Sequence, residues 1–434
     1  MKKLSFSVQI SAPPTRVWSI LWDDATYRQW TSAFSEGSHA VSDWQEGSKI
    51  LFLGSNGDGM VSRIARLIPD EFMSFQHLGE IKNGVEDTAI GEGNIWENAF
   101  ENYTLRDHDG GTLLQVELDS DETHAEMFEG VFPKALAIVK TLAEAQKITP
   151  FLWLDERIEE AINLYTSTFP NSKIGHVARQ GDAVFTADFS LSGQKFAALN
   201  GGPRFRLNPS ISIFVVCESE AELDNAWQKL ADGGQILMAL DKYPWSEKYG
   251  WLQDRFGLSW QLSFGKIAEV GQKFTPTLMF GGPQNGHAEA AINLYTSIFK
   301  NTSLDGILRF GAGEPNAEGL VKHAQFKLDG QKFMVLDGGT GHAFTFNEAF
   351  SFVISCETQD EIDYFWEKLT ADGGEPSQCA WLKDRFGVWW QVVPPVLMRY
   401  LNDPNPAKAQ SVMQAMLKMS KIEIAVLEQA YEQG

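Results

Sequence analysis

The sequence predicts an α+β protein in which one sheet-and-helix domain precedes two copies of a second domain and a helical tail. Three observations carry that prediction. The run Ala161-Ile162-Asn163-Leu164-Tyr165-Thr166-Ser167 recurs unchanged as Ala291 to Ser297. In both copies short β-rich runs alternate with segments of helical period. Residues 1 to about 145 match neither copy and end in a long amphipathic segment.

Taken in order, Leu4–Ile10 opens as a half-buried strand, because polar residues interrupt it at every second position as they would not in an export signal. Ala12-Pro13-Pro14-Thr15-Arg16-Val17-Trp18 leads into a first helix, and Tyr27-Arg28-Gln29-Trp30 closes a second. Met73-Ser74-Phe75-Gln76-His77 alternates as a strand. The closing helix is predicted over His124–Leu142, with Met127, Val131, Ala135, Ile138 and Leu142 on its apolar side.

In the first copy a helix is predicted from about Glu156 to Phe169, with Ile158, Ile162, Tyr165 and Phe169 at helical spacing. A second helix opens with the capping box Ser219-Glu220-Ala221-Glu222, echoed by Thr358-Gln359-Asp360-Glu361, and stops at Asp232-Gly233-Gly234, echoed by Asp372-Gly373-Gly374. Between them Val184–Leu191, Lys195–Leu199, Ser210–Cys217 and Leu258–Phe264 read as strands, so the order is β-α-β-β-β twice in each copy. Gly193-Gln194-Lys195-Phe196 returns as Gly330-Gln331-Lys332-Phe333, and Trp251 to Gly257 as Trp381 to Gly387. The expected domains are 1–146, 148–268, 273–396 and a tail at 397–434, where Asn405 caps a helix and Pro406 takes its first position.

Composition narrows the function classes. With 43% hydrophobic and 21% charged residues the chain is globular, and a net charge of -21 repels nucleic acid and anionic bilayers. The first 147 residues alone carry a net -11. Three cysteines form neither a disulfide framework nor a Cys-x-x-Cys pair, so a reducing cytoplasm is expected. No run reaches the roughly 18 apolar residues of a membrane span.

Thr149-Pro150-Phe151-Leu152-Trp153-Leu154, the Ala-Ile-Asn-Leu-Tyr helix, Leu199-Asn200-Gly201-Gly202-Pro203, Cys217-Glu218-Ser219 and Trp251-Leu252-x-Asp254-Arg255-Phe256-Gly257-x-x-Trp260-Gln261 together resemble the PhnB-like branch of the vicinal oxygen chelate (glyoxalase/bleomycin-resistance) superfamily. Both copies carry the resemblance, over about two-thirds of the chain, and the tail from Asp403 onward resembles that branch too. The first domain resembles, less strongly, the START-like (SRPBCC, polyketide cyclase-type) helix-grip class, which implies a curved sheet around the closing helix with a ligand cavity between them.

Metal-dependent members of the chelate superfamily place His, His or Glu, and Glu on the barrel strands. By that resemblance the last-strand positions here hold Gln261 and Gln391, the first-strand windows Ile148–Pro150 and Phe274–Pro276 lack His, and Glu348 alone lies near a middle position. The expectation is therefore no superfamily metal site and no cofactor. His287, His323 and His342 show no ligand spacing, and Gly311-Ala312-Gly313 does not open a helix as a phosphate loop would. The candidate ligand-binding residues are Gln261, Gln391, Trp153, His77 and Trp96. Arg255, Arg385, Asp254 and Asp384 read as turn supports. The leading functional reading is a cytoplasmic small-molecule-binding protein whose two PhnB-like copies pair within the chain as a pseudo-dimer. The alternative is a metal-independent lyase, isomerase or cyclase, rather than a methyltransferase, acting in the START-like cavity through His77 with Glu80 or Glu97, or in a glyoxalase-like pocket.

Overall fold

The structure is a computed structural model that describes residues 2–10, 12, 14–88, 99–108, 111–144 and 146–434. It divides into two units, Met1–Ala145 and Gln146–Gly434.

The first unit runs β1 (Lys2–Ile10), α1 (Pro14–Trp22), α2 (Asp24–Thr31), β2 (His39–Val41), β3 (Lys49–Leu53), β4 (Gly59–Ile68), β5 (Phe72–Lys82), β6 (Val85–Asp87), β7 (Phe100–His108), β8 (Gly111–Ser120) and α3 (Glu122–Ala143). Its sheet is antiparallel in the order β1-β8-β7-β5-β4-β3-β2, with β6 paired to the far end of β5. The long helix α3 packs against β1, α1 and α2. Asp121 starts it, its side chain accepting from the His124 N–H at 2.8 Å. The buried stripe of α3 is Ala125, Phe132, Ala135, Leu136, Val139 and Ala143, whereas Met127 is 48% exposed. The stripe chosen from sequence was thus rotated: two helical rows of this segment are apolar, and the row that carries Phe132 and Leu136 buries more surface.

The second unit contains β9 (Ile148–Leu154), α4 (Ile158–Thr168), β10 (Lys173–Gln180), β11 (Ala183–Leu191), β12 (Gln194–Asn200), β13 (Ile211–Cys217), α5 (Glu220–Ala231), β14 (Gln235–Tyr243), β15 (Ser246–Gln253), β16 (Ser259–Phe264) and a single turn α6 (Ile267–Val270). The second copy follows with β17 (Phe274–Gly281), α7 (Ala288–Ile298), β18 (Ser303–Arg309), β19 (Val321–Leu328), β20 (Gln331–Gly339), β21 (Phe350–Ser355), α8 (Gln359–Thr370), β22 (Glu375–Pro376), β23 (Trp381–Lys383) and β24 (Trp389–Val393). Helices α9 (Pro395–Leu401), α10 (Pro406–Met416) and α11 (Ile424–Gln433) form the tail, where Asn405 accepts from the Ala407 N–H and Pro406 sits in the first turn.

Neither repeat makes a sheet of its own. One eight-stranded sheet, β10-β11-β12-β9-β21-β24-β23-β22, joins the first half of repeat one to the second half of repeat two. The other, β14-β15-β16-β13-β17-β20-β19-β18, joins the remaining halves. Each seam is an antiparallel pair of first strands, β9 with β21 and β13 with β17. The two sheets are tied to each other reciprocally: Gln194 of β12 donates to the Phe274 carbonyl of β17 at 2.8 Å, and Gln331 of β20 donates to the Ile148 carbonyl of β9 at 2.8 Å. In both sheets one face meets the helices in a continuous apolar core that includes Leu152, Ile213, Trp260, Leu278, Phe352 and Trp390.

The opposite faces differ. On β9 burial alternates, so Thr149, Phe151 and Trp153 are half-buried beside buried Ile148, Leu152 and Leu154. On β17 every residue is buried. The long β14–β15 hairpin has only short counterparts in β22 and β23, and from it Tyr249 reaches the strand beside β13.

Candidate functional site

The first unit holds a half-open pocket of about 200 Å³. Six aromatic side chains in its wall close a circle of ring contacts: Trp22 meets Tyr103 (5.0 Å), Tyr103 meets Trp30 (6.3 Å), Trp30 meets Tyr27 (5.3 Å), Tyr27 meets Phe52 (6.5 Å), Phe52 meets Phe75 (5.1 Å) and Phe75 meets Trp22 (5.4 Å). Strand register places the polar groups among them. Phe75 lies opposite Glu101 and Met73 opposite Tyr103, so the two-residue period of β5 and β7 turns Glu101 and Tyr103 to the cavity face.

His77, 4% exposed, lines the same cavity. Its Nδ1 lies 2.9 Å from the Ser62 hydroxyl and its Nε2 3.6 Å from a Glu101 carboxylate oxygen. A Ser62 hydroxyl donating to Nδ1 puts the imidazole proton on Nε2, toward Glu101, which is the tautomer that suits both contacts. Tyr103 donates its hydroxyl to Glu101 as well. Burial, reinforced by the Glu101 charge, holds the Tyr27 and Tyr103 phenols well above their usual range, so both remain donors. The arrangement can hold a ring-sized apolar body and present one carboxylate to it.

Of the acids considered beside His77, Glu80 pairs with Lys82 at 2.5 Å, and Glu97, like the candidate Trp96, lies outside the described residues. Among the described residues the carboxylate that reaches His77 is Glu101. A signal for it existed: Glu101, Tyr103 and Leu105 share one strand phase, so an acid falls in step with two buried residues.

In the second unit both candidate glutamines sit on the sheet faces turned away from the helices. Gln261 donates to the Ser212 hydroxyl at 2.7 Å and accepts from the Tyr249 hydroxyl at 2.7 Å. Gln391, 6% exposed, donates to Ser351 at 3.0 Å. Around Gln391 the face is aromatic: Trp381 lies opposite it in register, and Trp381 contacts Phe151 (5.7 Å), Trp153 (6.2 Å) and Trp389 (6.4 Å). Phe151 and Trp153 come from repeat one, Trp381 and Gln391 from repeat two.

Trp153 also lines a second cavity, of about 490 Å³, with Phe205, Phe256, Arg157, Arg206 and Arg255. Its indole N–H donates to the Gly202 carbonyl at 2.9 Å. Gly201 is glycine for a spatial reason, since a Cβ there would fall 1.9 Å from the Trp153 ring. Arg157 and Arg255 both lie over the Phe256 ring, and Arg255 pairs with Asp232 at 3.3 Å. Asp254 and Asp384 do more than form turns: each is buried and accepts from a core tryptophan, Trp260 or Trp390, and from two backbone N–H groups.

The profile of the 3-demethylubiquinone-9 3-methyltransferase family matches residues 146–263 and 272–393, just over half of the chain. The chain belongs to that family. Its tandem domains are PhnB-like, with the glyoxalase-type fold. A PhnB protein from Bacillus cereus is 42% identical over 28% of this chain and all of its own length, with a TM-score of 0.27. A protein from Staphylococcus aureus is 36% identical over 28% of this chain and 97% of its own (TM-score 0.13). Protein PA1353 from Pseudomonas aeruginosa is 22% identical over 28% and 98% (TM-score 0.26). No curated protein matches.

The residues at the superfamily's ligand positions do not fit a metal. Beside Gln261 stand Ser212, with Thr277 opposite it and Met334 opposite Thr277; beside Gln391 stand Ser351, with Phe151 opposite it and Ala197 opposite Phe151. Amide, hydroxyl, thioether and hydrocarbon do not replace the imidazole and carboxylate that first-row metals take. Among the described residues no three His, Cys, Asp or Glu come together. Glu348 precedes β21 rather than lying on it, and His323 is half-buried on β19 beside Gln325, with burial lowering its pKa.

Proposed function

We propose that the chain is a small-molecule-binding protein whose main site is the N-terminal cavity, with the tandem PhnB-like domains acting as further, metal-independent binding surfaces. The observation that carries this reading is the circle of six rings around about 200 Å³ with the Glu101 carboxylate in its wall. A cavity of about 150 Å³ already accepts a benzene ring, so a single-ring ligand is the right size. The antiparallel sheet with the long helix α3 packed against β1 supports a START-like helix-grip reading of residues 1–146. The reciprocal ties between the sheets support reading the two PhnB-like copies as an intrachain pseudo-dimer. The net charge of -21 supports a partner that is neither nucleic acid nor an anionic membrane, and the reduced thiols support a cytoplasmic location.

The family's description names methyl transfer. The glycines at 311 and 313 do not form a phosphate cradle of backbone N–H groups at a loop-helix junction. The Gly311 N–H is taken by Glu314, and the loop leads into strand β19.

One observation favours an enzymatic alternative: the relay Ser62, His77, Glu101 is wired as a positioned acid and base would be, which suits proton transfer in a lyase or isomerase. Titration of the full chain with indole and p-cresol, followed by tryptophan fluorescence and thermal shift, tests the binding reading. Saturable quenching with a rise in melting temperature supports it, and no response to either ligand defeats it. Turnover lost in His77→Ala with binding retained would establish the alternative.

A further inference from the structure

The N-terminal cavity has a charge bias that its apolar walls make selective. Glu101 and Asp119 line it, and no lysine or arginine does. The residues outside the described set contain no lysine or arginine either, so none of them supplies the missing cation. Nine of the 19 lining residues are Trp, Tyr or Phe, beside neutral residues such as Leu53, Met60 and Leu118, and the electron-rich faces of those rings attract positive charge and are indifferent or repellent to negative charge. Glu101 is held in place by its neighbours: Tyr103 donates to it, His77 approaches it from β5, and its side chain is 19% exposed. A carboxylate fixed at the edge of an aromatic enclosure, with both nearby phenols kept protonated, is an acceptor site already turned toward its ligand.

We infer that the cavity selects an organic cation: a single-ring molecule, or an equally compact apolar body, that carries an ammonium group and places it between the aromatic faces and Glu101. The inference rests on the binding reading above and adds the class of ligand. The volume of about 200 Å³ limits the ligand to a ring with a short charged arm. Desolvating the ammonium is offset by the ring faces and the carboxylate together, an attraction that strengthens away from water. An anion of the same size would meet Glu101 and Asp119 with no lysine or arginine to receive it.

Isothermal titration of the full chain with three probes of similar size tests this: benzyltrimethylammonium, its uncharged carbon isostere neopentylbenzene, and 3-phenylpropanoate. The expected order is cation tightest, the isostere about tenfold weaker, and the anion weaker again. Glu101→Gln should bring the cation to within about threefold of the isostere while leaving isostere binding unchanged, which also establishes that the variant's cavity is intact. That variant alters the net charge of -21 by a single unit, so a general attraction of cations to an acidic protein would survive it. Equal affinity for cation and isostere in the native chain, or an undiminished cation preference in Glu101→Gln, overturns the proposal and leaves the binding reading standing. If none of the three probes binds, both fall.

Discussion

Asn208 and Asn347 reach into each other's loops: Asn208 donates to the Thr345 carbonyl at 3.0 Å, and Asn347 donates to the Arg206 carbonyl at 2.9 Å. The exchange repeats, at the loops before β13 and β21, the reciprocity already seen between the two sheets. A repeat taken alone would lose its partner at every one of these contacts.

A fragment of residues 146–270 is therefore expected not to exist as a folded monomer. It holds only half of each sheet, with β9 and β13 as open, largely apolar edges. Light scattering after size exclusion should find a dimer, in which two fragments rebuild the missing halves, or aggregates. A monomer with a cooperative melt would count against the shared-sheet architecture.

Asp384→Asn is expected to cost about 2–4 kcal/mol in a denaturant titration. The carboxylate accepts from Trp390 (2.9 Å), Tyr295 (2.7 Å) and the backbone N–H groups of Phe386 and Val388 (2.9 and 3.0 Å). An amide turns one of these acceptors into a donor facing donors, in a site 1% exposed. Tyr295→Phe, which removes one donor and leaves the rest, should cost about 1 kcal/mol.

The three cysteines should react unequally. Burial pushes the Cys217 and Cys356 thiols up to about 12, whereas Cys379 is half-buried and raised less far. At pH 8 only about one in ten thousand of the first two is thiolate. One equivalent of an aromatic disulfide reagent should label the native chain slowly, and three should label it in denaturant. The same shifts set a sign for alkaline stability. The unfolded thiols ionise near 9 and the folded ones near 12, so their contribution is complete below about 9 and is lost as pH rises toward 12. Cys217→Ala should flatten that alkaline decline, and a slope unchanged in the variant would contradict the assignment.

Gln391→Glu is expected to lower stability by about 1–3 kcal/mol at neutral pH and to gain no metal. Its neighbours across the sheet are Ser351, Phe151 and Ala197, so the new carboxylate would stand without a second strong ligand. Melting curves with and without Mn²⁺, Zn²⁺ and Ni²⁺ decide the matter. A metal-dependent rise in melting temperature would mean that ligands from elsewhere converge there.

Much of this fold was legible from local chemistry. The capping box at Ser219 closes as expected, with the Ser219 hydroxyl accepting from the Glu222 N–H and Glu222 reaching back to the Glu218 N–H. Gly233 takes the left-handed conformation just past α5, with φ of 70°. The repeated strings fixed where each element begins because they are caps and turns, which depend on near neighbours. Strand exchange depends on which edges meet, and β9 has the same sequence whether it pairs with β13 or with β21. Gln261 and Gln391 stand out by their place in the repeated last strand, but nothing local tells that Tyr249, twelve residues before Gln261 on a hairpin, bonds to it. In the cavity wall His77 stands out by its type, whereas Glu101 is marked only by its contacts, one of which, His77, comes from a strand 24 residues earlier.

The way the two sheets are distributed also fixes an order of assembly during synthesis. All strands of one sheet lie between residues 211 and 339, an uninterrupted stretch, whereas those of the other lie at 148–200 and 350–393, on either side of it. The inner sheet can close as soon as its own stretch has left the ribosome. The outer one waits, with β9 unpaired on one side, while about 150 more residues are added, roughly 8–30 s at ordinary elongation rates. For that interval the nascent chain carries an unfinished edge beside a finished sheet, and the last strands made are the ones that protect the first.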